Sequence, residues 1–276
     1  MPELPEVQTI VDELNQKIVG KTIGEIKILS PKSFVGDKNV LIGKTIKRIR
    51  RRAKILVFEL DGGFFAVHLK MTGQLIYQKS KIKNQNDKSK FKNELKHKRV
   101  IIHFTDKSQL VFNDLRKFGW IKVLDKNGLD KIETDHGIEP FSKDFSKEKF
   151  YQIISTRRIP IKIAIMDQSK LVGVGNIYSN EALFCAGIMP NRPANKVTKI
   201  ESNRLHECIL SVLKQAIKDK GTSSENYVRT DGSLGGHDKN LMIYGKKGQK
   251  CPKCSGKVEW MKIGGRGSFY CSKCQK

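Results

Sequence analysis

The chain has 276 residues, with 38% hydrophobic and 8% aromatic content, enough for two modest domains or one large one with real cores. No apolar run reaches the roughly 18 residues that a membrane-spanning helix needs, so the sequence predicts no membrane partner. Its 53 basic against 28 acidic residues leave a net charge of +25, more than surface solvation requires, and point to a polyanion such as nucleic acid. Residues 1–11 lack a basic segment followed by an apolar core, so they do not read as a signal peptide, and the expected location is intracellular.

Leu4, Val7, Ile10, Val11, Leu14 and Ile18 recur at helical spacing, and Gly20 closes the segment. The chain should therefore open into an amphipathic helix with Pro2, Glu3, Pro5 and Glu6 at its start. From residue 22 to about 124, short β-branched and aromatic runs alternate with turn residues. They fall at 23–29, 55–60, 64–69, 100–104 and 110–112, and Asp61-Gly62-Gly63 reads as a hairpin turn. This predicts a β-sandwich or barrel with the first helix packed alongside. Residues 79–98 carry eight lysines in twenty positions and read as a solvated loop. Residues 125–145, interrupted by Gly128, Gly137 and Pro140, read as a linker. Leu205, Cys208, Ile209, Val212, Leu213, Ala216 and Ile217 then form one apolar helix face, ended by Gly221. Residues 221–240 are rich in Gly, Ser, Asp and Asn and read as a flexible loop.

Of the six cysteines, Cys185 and Cys208 stand alone in apolar surroundings and read as core thiols. The other four form Cys251-x2-Cys254-x16-Cys271-x2-Cys274. Each Cys-x-x-Cys knuckle turns two thiolates to one side, and two knuckles complete a tetrahedral S4 site for one structural Zn2+. Between them, Gly264-Gly265-Arg266-Gly267 joins two β-prone runs as a hairpin with an arginine at its tip. With the overall charge, that arginine reads as a DNA contact, against a hairpin that only stabilises the C-terminal region.

Removal of Met1 would leave a secondary α-amine on Pro2, able to attack an aldehyde-like carbon when unprotonated. The helix dipole favours the neutral amine, and Glu3 beside it can act as general acid or base. Pro and Glu are also ordinary helix-start residues, so the residues alone leave both readings open. Gly173-Val174-Gly175-Asn176-Ile177-Tyr178 runs into a helix, as a phosphate-binding turn or a packing turn.

Together these segments resemble the formamidopyrimidine-DNA glycosylase family. Met1-Pro2-Glu3-Leu4-Pro5-Glu6-Val7 is similar to its start. The 173–178 turn, followed by Asn180-Glu181-Ala182-Leu183-Phe184 and Ala186-Gly187-Ile188-x-Pro190, resembles its helix–two-turn–helix motif. Tyr244-Gly245 through Gly265-Arg266-Gly267 and Cys271-x-x-Cys274-Gln275 resembles its zinc finger. The resemblance covers nearly the whole chain. It implies an α+β fold: an N-terminal helix plus β-sandwich domain (1–130), a helical helix–two-turn–helix domain with a lesion-capping loop (131–240), and a C-terminal β-hairpin zinc finger (241–276). It implies a monomer acting on double-stranded DNA with oxidised bases or abasic sites, the DNA lying in a basic cleft.

The implied roles are specific. Pro2 is the Schiff-base nucleophile, Glu3 protonates the opening sugar, Lys54 is the proton donor in β-elimination, and Arg266 serves δ-elimination. His68, His97, Arg116, Arg158 and Asn176 fall where the family contacts DNA. Met71, Arg116 and Phe118 match the side chains that fill the hole left by an everted base. Two features depart from the family pattern. The lysine-rich insert lengthens the span from Met71 to His97, and Lys70 stands where a small residue or arginine is expected. The nearest alternative is the endonuclease VIII-like branch, which prefers oxidised pyrimidines; Leu4 argues for the purine branch. The other is a non-catalytic damaged-DNA-binding protein, against which the intact Pro2, Glu3 and Lys54 argue.

Overall fold

The apolar stripe at the start of the chain forms helix α1, Leu4–Ile18, in a computed structural model that describes residues 1–79 and 96–276. Most of the lysine-rich segment 79–98 lies outside the described residues. The chain divides into two compact units, residues 1–134 with 219–238, and residues 135–218 with 239–276. Among the described residues no helix is long and apolar enough to cross a membrane.

In the first unit two sheets face each other. One holds β1 (Ile23–Ile28), β7 (Lys98–Phe104), β8 (Gln109–Asp114) and β6 (Gly73–Gln78) in that order, all antiparallel. The other holds β2 (Phe34–Val35), β9 (Trp120–Leu124), β5 (Gly63–His68), β4 (Ile55–Leu60) and β3 (Ile46–Arg52), antiparallel except for the β2–β9 pair. The expected hairpin turn is present, with Leu60 paired to Gly63 and the Asp61 carboxylate accepting the Thr45 amide at 3.0 Å. The inner faces meet Val7, Ile10, Val11, Leu14 and Ile18 of α1 in one core with Phe58, Phe65, Ile102 and Phe112. Removing these side chains from water is the main favourable term for this unit.

Strand β4 is buried on both faces, so its sequence runs apolar without alternation. Its second face is covered by α2, Lys126–Thr134, whose Leu129 and Ile132 pack on Ile55, Val57, Ala66 and Leu124. The expected linker over 125–145 is therefore partly helical. Asp125 accepts the Gly128 amide at 2.7 Å and starts the helix despite the glycine.

Glu6 and Glu13 of α1, and Glu3 at its N-cap, are buried. Glu3 and Glu6 form a reciprocal capping box, with the Glu3 amide donating to Glu6 at 2.7 Å. Glu6 also accepts the Thr222 amide at 2.9 Å. Glu13 accepts from the Arg229 guanidinium at 2.6 Å, the Thr230 amide at 3.0 Å and the Thr230 hydroxyl at 2.6 Å. Tyr227 is buried in the sandwich core, and Val228 lies on the outer face against Ile76 and Val111. The loop expected over 221–240 is thus pinned to α1 and β6, while residues 224–226 and Asp231, Ser233, Leu234 and Gly236 stay exposed.

The second unit is helical: α3 (Lys147–Ser155), α4 (Ile161–Met166), α5 (Asn176–Ala186) and α6 (Lys199–Lys218), followed by a hairpin of β10 (Glu259–Ile263) and β11 (Arg266–Tyr270). Gly187 caps α5 at φ +69°, a left-handed position that glycine adopts without penalty. One cysteine expectation is corrected. Cys185 and Cys208 are not separate core thiols but a disulfide joining α5 to α6, with Cα atoms 5.8 Å apart, and Cys185 is exposed. They are 23 residues apart in sequence, so nothing local announced the pair.

The hydrogen bonds to Glu13 outweigh its desolvation and hold its carboxyl below the usual range. A depressed folded pKa means stability that is present above the unfolded value and lost as pH falls through the folded one. We predict that Glu13→Gln speeds amide exchange at Thr230 and costs on the order of 1–3 kcal/mol, since the Arg229 charge loses its buried partner. Wild-type exchange at Thr230 should rise only below the ordinary carboxylate range. Unchanged exchange in the variant would rule out this anchor.

Candidate active site and metal centre

The start of α1 fixes two of the expected catalytic residues. Pro2 and Glu3 are both buried, Glu3 at the N-cap with only 2% of its surface exposed. Asn15 of α1 exchanges hydrogen bonds with Ile49, and Gln8 accepts from Arg51 at 3.0 Å. Going back along α1 therefore means going forward along β3, toward the β3–β4 turn. In that turn Ala53 adopts φ +54°, and its carbonyl accepts the Arg51 guanidinium at 2.8 Å. The next residue is Lys54, 6% exposed. The structure thus brings Pro2, Glu3 and Lys54 to one end of the first unit.

The other expected DNA-contact residues of this unit reach the same end. Ile55 pairs with His68, so His68 closes β5 beside the Lys54 turn. Its Nδ1 accepts the Lys70 amide at 3.0 Å. Lys70 sits at φ +51°, a left-handed position, and Met71 follows it at the β5–β6 turn. Asp114, fully buried, ties this turn to its neighbours. Its carboxylate accepts the Thr72 hydroxyl, the Arg116 amide at 3.2 Å and the Gly119 amide at 2.8 Å. Its backbone amide donates to the His97 carbonyl at 2.9 Å. Arg116 and Phe118 flank Lys117 at φ +58° on the β8–β9 turn. The Arg116 guanidinium lies 4.8 Å from the Phe118 ring centroid, and that ring is 55% exposed. The Phe118 ring is therefore a surface group and not part of the core. Asp114 and Thr72 were missed from the sequence, because their role is to hold other residues and no spacing marks it.

In the second unit, Gln168 organises the glycine turn ahead of α5. It accepts the Gly173 amide at 2.9 Å and donates to the Val174 carbonyl at 2.8 Å. Asn176 is the first residue of α5, and its buried side-chain Oδ1 has no hydrogen-bond partner among the described residues. A helix start suits a phosphate, whereas the Oδ1 atom is an acceptor and calls for a donor. Arg158 is exposed in the turn between α3 and α4.

The hairpin has the expected arginine at its tip. Gly264 and Gly265 take φ +54° and +77°, and Ile263 pairs with Arg266. A Cβ on Gly264 would lie 2.5 Å from the Ile163 side chain, so the tip sits directly on α4. Lys162, fully buried, donates to the Gly267 carbonyl and the Ser268 hydroxyl, each at 2.7 Å. Asn180 accepts the Phe269 amide at 2.7 Å. Cys251, Cys254, Cys271 and Cys274 converge with their sulfurs within 4.8 Å of one another. Four thiolates at this spacing fit one tetrahedral zinc ion with no position left for substrate, so the ion is structural.

Three family models match the chain in order: the formamidopyrimidine-DNA glycosylase N-terminal domain over residues 1–121, the H2TH domain of the same enzymes over 136–227, and the zinc finger found in FPG and IleRS over 248–276. Curated formamidopyrimidine-DNA glycosylases from Brevibacillus brevis and Shouchella clausii are 37% and 38% identical, each aligned over 100% of this chain and 99% of its own. A Lactococcus lactis Fpg mutant bound to DNA containing Fapy-dG superimposes with TM-score 0.88 at 32% identity, covering 100% of both chains. The L. lactis protein bound to DNA with an abasic site gives 0.87 at 32% identity and covers 99% of each chain. Bound to DNA with an oxidised pyrimidine, it gives 0.87 at 32% identity over 100% of each. An α1-plus-sandwich unit, a helical unit and a four-cysteine hairpin, matched in this order, define the scaffold of a DNA glycosylase of base excision repair. The chain belongs to the formamidopyrimidine-DNA glycosylase family.

The hairpin is held from both sides, by the metal and by Lys162. Cys271→Ser should lower zinc content well below one ion per chain and loosen the Arg266 strand. Lys162→Met should keep the zinc yet speed amide exchange across Arg266–Tyr270, because Gly267 and Ser268 lose a buried donor. Full zinc content in the cysteine variant would rule out the assigned ligand set. Unchanged exchange in the lysine variant would show that the ammonium does not brace the strand.

Proposed function

We propose that this protein is a bifunctional glycosylase and abasic-site lyase that removes oxidised purines from double-stranded DNA. The observation that carries it is the convergence of Pro2, Glu3 and Lys54 on one end of the first unit, beside the exposed Arg116–Phe118 turn. With Met1 removed, the Pro2 nitrogen attacks C1′ of the lesion nucleotide and the bond to the damaged base breaks. The sugar C1′–O4′ bond then opens as the iminium forms, and the Glu3 carboxyl delivers its proton to O4′. Lys54 assists β-elimination, which breaks the 3′ C–O bond. Arg266 serves the δ-elimination that breaks the 5′ one.

A stacked base is out of reach of this chemistry, so the nucleotide must be everted at a cost of a few kcal/mol. Met71 and Phe118 fill the vacated space, and Arg116 meets the orphaned partner base, offsetting part of that cost. His68, His97, Arg158 and Asn176 hold phosphates. Fapy-dG bound to the similar L. lactis mutant supports the purine reading. The complex of the L. lactis protein with an oxidised pyrimidine makes the pyrimidine lesion the necessary comparison.

With Met1 attached, the Pro2 nitrogen is a tertiary amide whose lone pair is delocalised into the carbonyl, so activity should track its removal. Borohydride trapping on an 8-oxoguanine duplex should give an adduct that maps to residue 2, in preparations that begin at Pro2. Glu3→Gln should bind lesion DNA well and excise poorly. Pro2→Gly, if processed, should be impaired without misfolding. Trapping at Lys54 with fully active Pro2 variants would falsify the nucleophile, and faster trapping on an oxidised pyrimidine would move the protein to the other branch.

Binding should also weaken steeply with salt. Its log–log slope should be roughly −0.9 for each phosphate contact, because the net charge of +25 favours counterion release. A flat salt profile on duplex DNA would contradict phosphate-led binding.

A further inference from the structure

We propose that Cys185 and Cys208 form a reversible oxidation site, a dithiol that closes into the observed disulfide by exchange with low-molecular-weight disulfides. The two residues lie on adjacent helices with Cα atoms 5.8 Å apart, inside the span a disulfide bridges without moving the backbone. Their exposures differ. Cys185 is open to solvent near the end of α5, whereas Cys208 on α6 is 7% exposed. An incoming reagent therefore meets Cys185, and Cys208 is placed to resolve. The remaining four cysteines are converged on the zinc site, with Cys251 and Cys271 buried, which sets them apart from this pair.

The exchange balances in two steps. The Cys185 thiolate attacks one sulfur of the small disulfide, forming a mixed disulfide and releasing one small thiolate. The Cys208 thiolate then attacks the Cys185 sulfur and expels the second. Two electrons and two protons leave the protein pair, and one small disulfide becomes two thiols. Excess small thiol runs the same steps backward.

The bond's place in the fold gives it a consequence. Asn176 begins α5, so the helix carries the glycine turn at its start. At its other end the carbonyls of Phe184 and Cys185 accept the Lys253 ammonium at 3.1 and 3.2 Å, and Lys253 lies within the first zinc knuckle. The Gly187 carbonyl accepts the Lys276 amide at 3.0 Å. A covalent link from this end of α5 to α6 therefore braces the helix on which the metal module is seated. It also closes a loop in the unfolded chain, which lowers that state's entropy.

The zinc-loaded full-length protein should be equilibrated in glutathione buffers from fully reduced to fully oxidised, then alkylated and digested without reductant. A cross-linked peptide pair joining 185 to 208 should appear in oxidised buffer and vanish in reduced buffer, with zinc content unchanged. The thermal midpoint should fall by roughly 5–10 °C on reduction. Cys185→Ser should fold, bind zinc and melt like the reduced wild type in every buffer; Cys208→Ala gives the same comparison from the buried side. Complete alkylation of both cysteines in oxidised glutathione, cross-linking of Cys185 to a zinc ligand, or a midpoint indifferent to reduction would each overturn the proposal.

Discussion

A helix that buries three carboxylates must find donors for them, and in α1 that requirement shapes the first unit. Glu3, Glu6 and Glu13 cannot be left unpaired among leucines and isoleucines, where an uncompensated charge costs several kcal/mol. Glu3 and Glu6 satisfy part of the need locally, by capping their own helix. The rest comes from a segment more than two hundred residues further on, through Thr222, Arg229 and Thr230. This is why residues 219–238 leave the helical stretch around them in sequence and belong to the sandwich unit. Of these, Glu6 holds the start of α1 through the Glu3 and Thr222 amides, so the backbone that presents Pro2 is anchored in part by a carboxylate with no assigned role in bond breaking.

Asp114 plays the matching part at the strand ends. One buried carboxylate holds the β5–β6 turn through Thr72 and the β8–β9 turn through Arg116 and Gly119. Both turns contain a lysine at positive φ, Lys70 and Lys117, a conformation that costs a non-glycine residue free energy. The bonds to Asp114 offset that cost. Side chains exposed on these turns are therefore carried by a fixed backbone without being packed in the core.

What the sequence revealed follows the range of the interactions. The metal site was legible because ligand chemistry imposes spacing within each knuckle, and the hairpin because its glycine turn is local. Strand β4 was legible as a continuous apolar run. Strand β3 was not: with Lys47, Arg48, Arg50, Arg51 and Arg52 it reads as a charge run, and only its pairing with β4 and the buried Ile46 and Ile49 make it a strand. Helix α2 was hidden by Gly128 and short apolar content, and becomes helix because the outer face of β4 needs cover. The disulfide and the buried Lys162 were out of reach for one reason: each is defined by a partner on another element, at a separation no periodicity records. Among the candidate site residues, those carried by motifs were legible. Asp114, Thr72 and Gln168, which only position them, were not.

Lys162 also bears on why the hairpin arginine can be exposed and still be placed. In a chain with a net charge of +25, one more ammonium on the surface would change little, yet this one is fully buried. Its acceptors are the carbonyl and hydroxyl of the two residues beyond Arg266, so the strand is fixed by its backbone and the guanidinium stays free of that duty. The zinc thiolates hold the opposite end of the same strand. Between them, strand β10 and Asn180, which accepts the Phe269 amide, hold the middle of β11. The backbone that carries Arg266 is therefore set by groups other than its own guanidinium, which separates placing the charge from any use made of it.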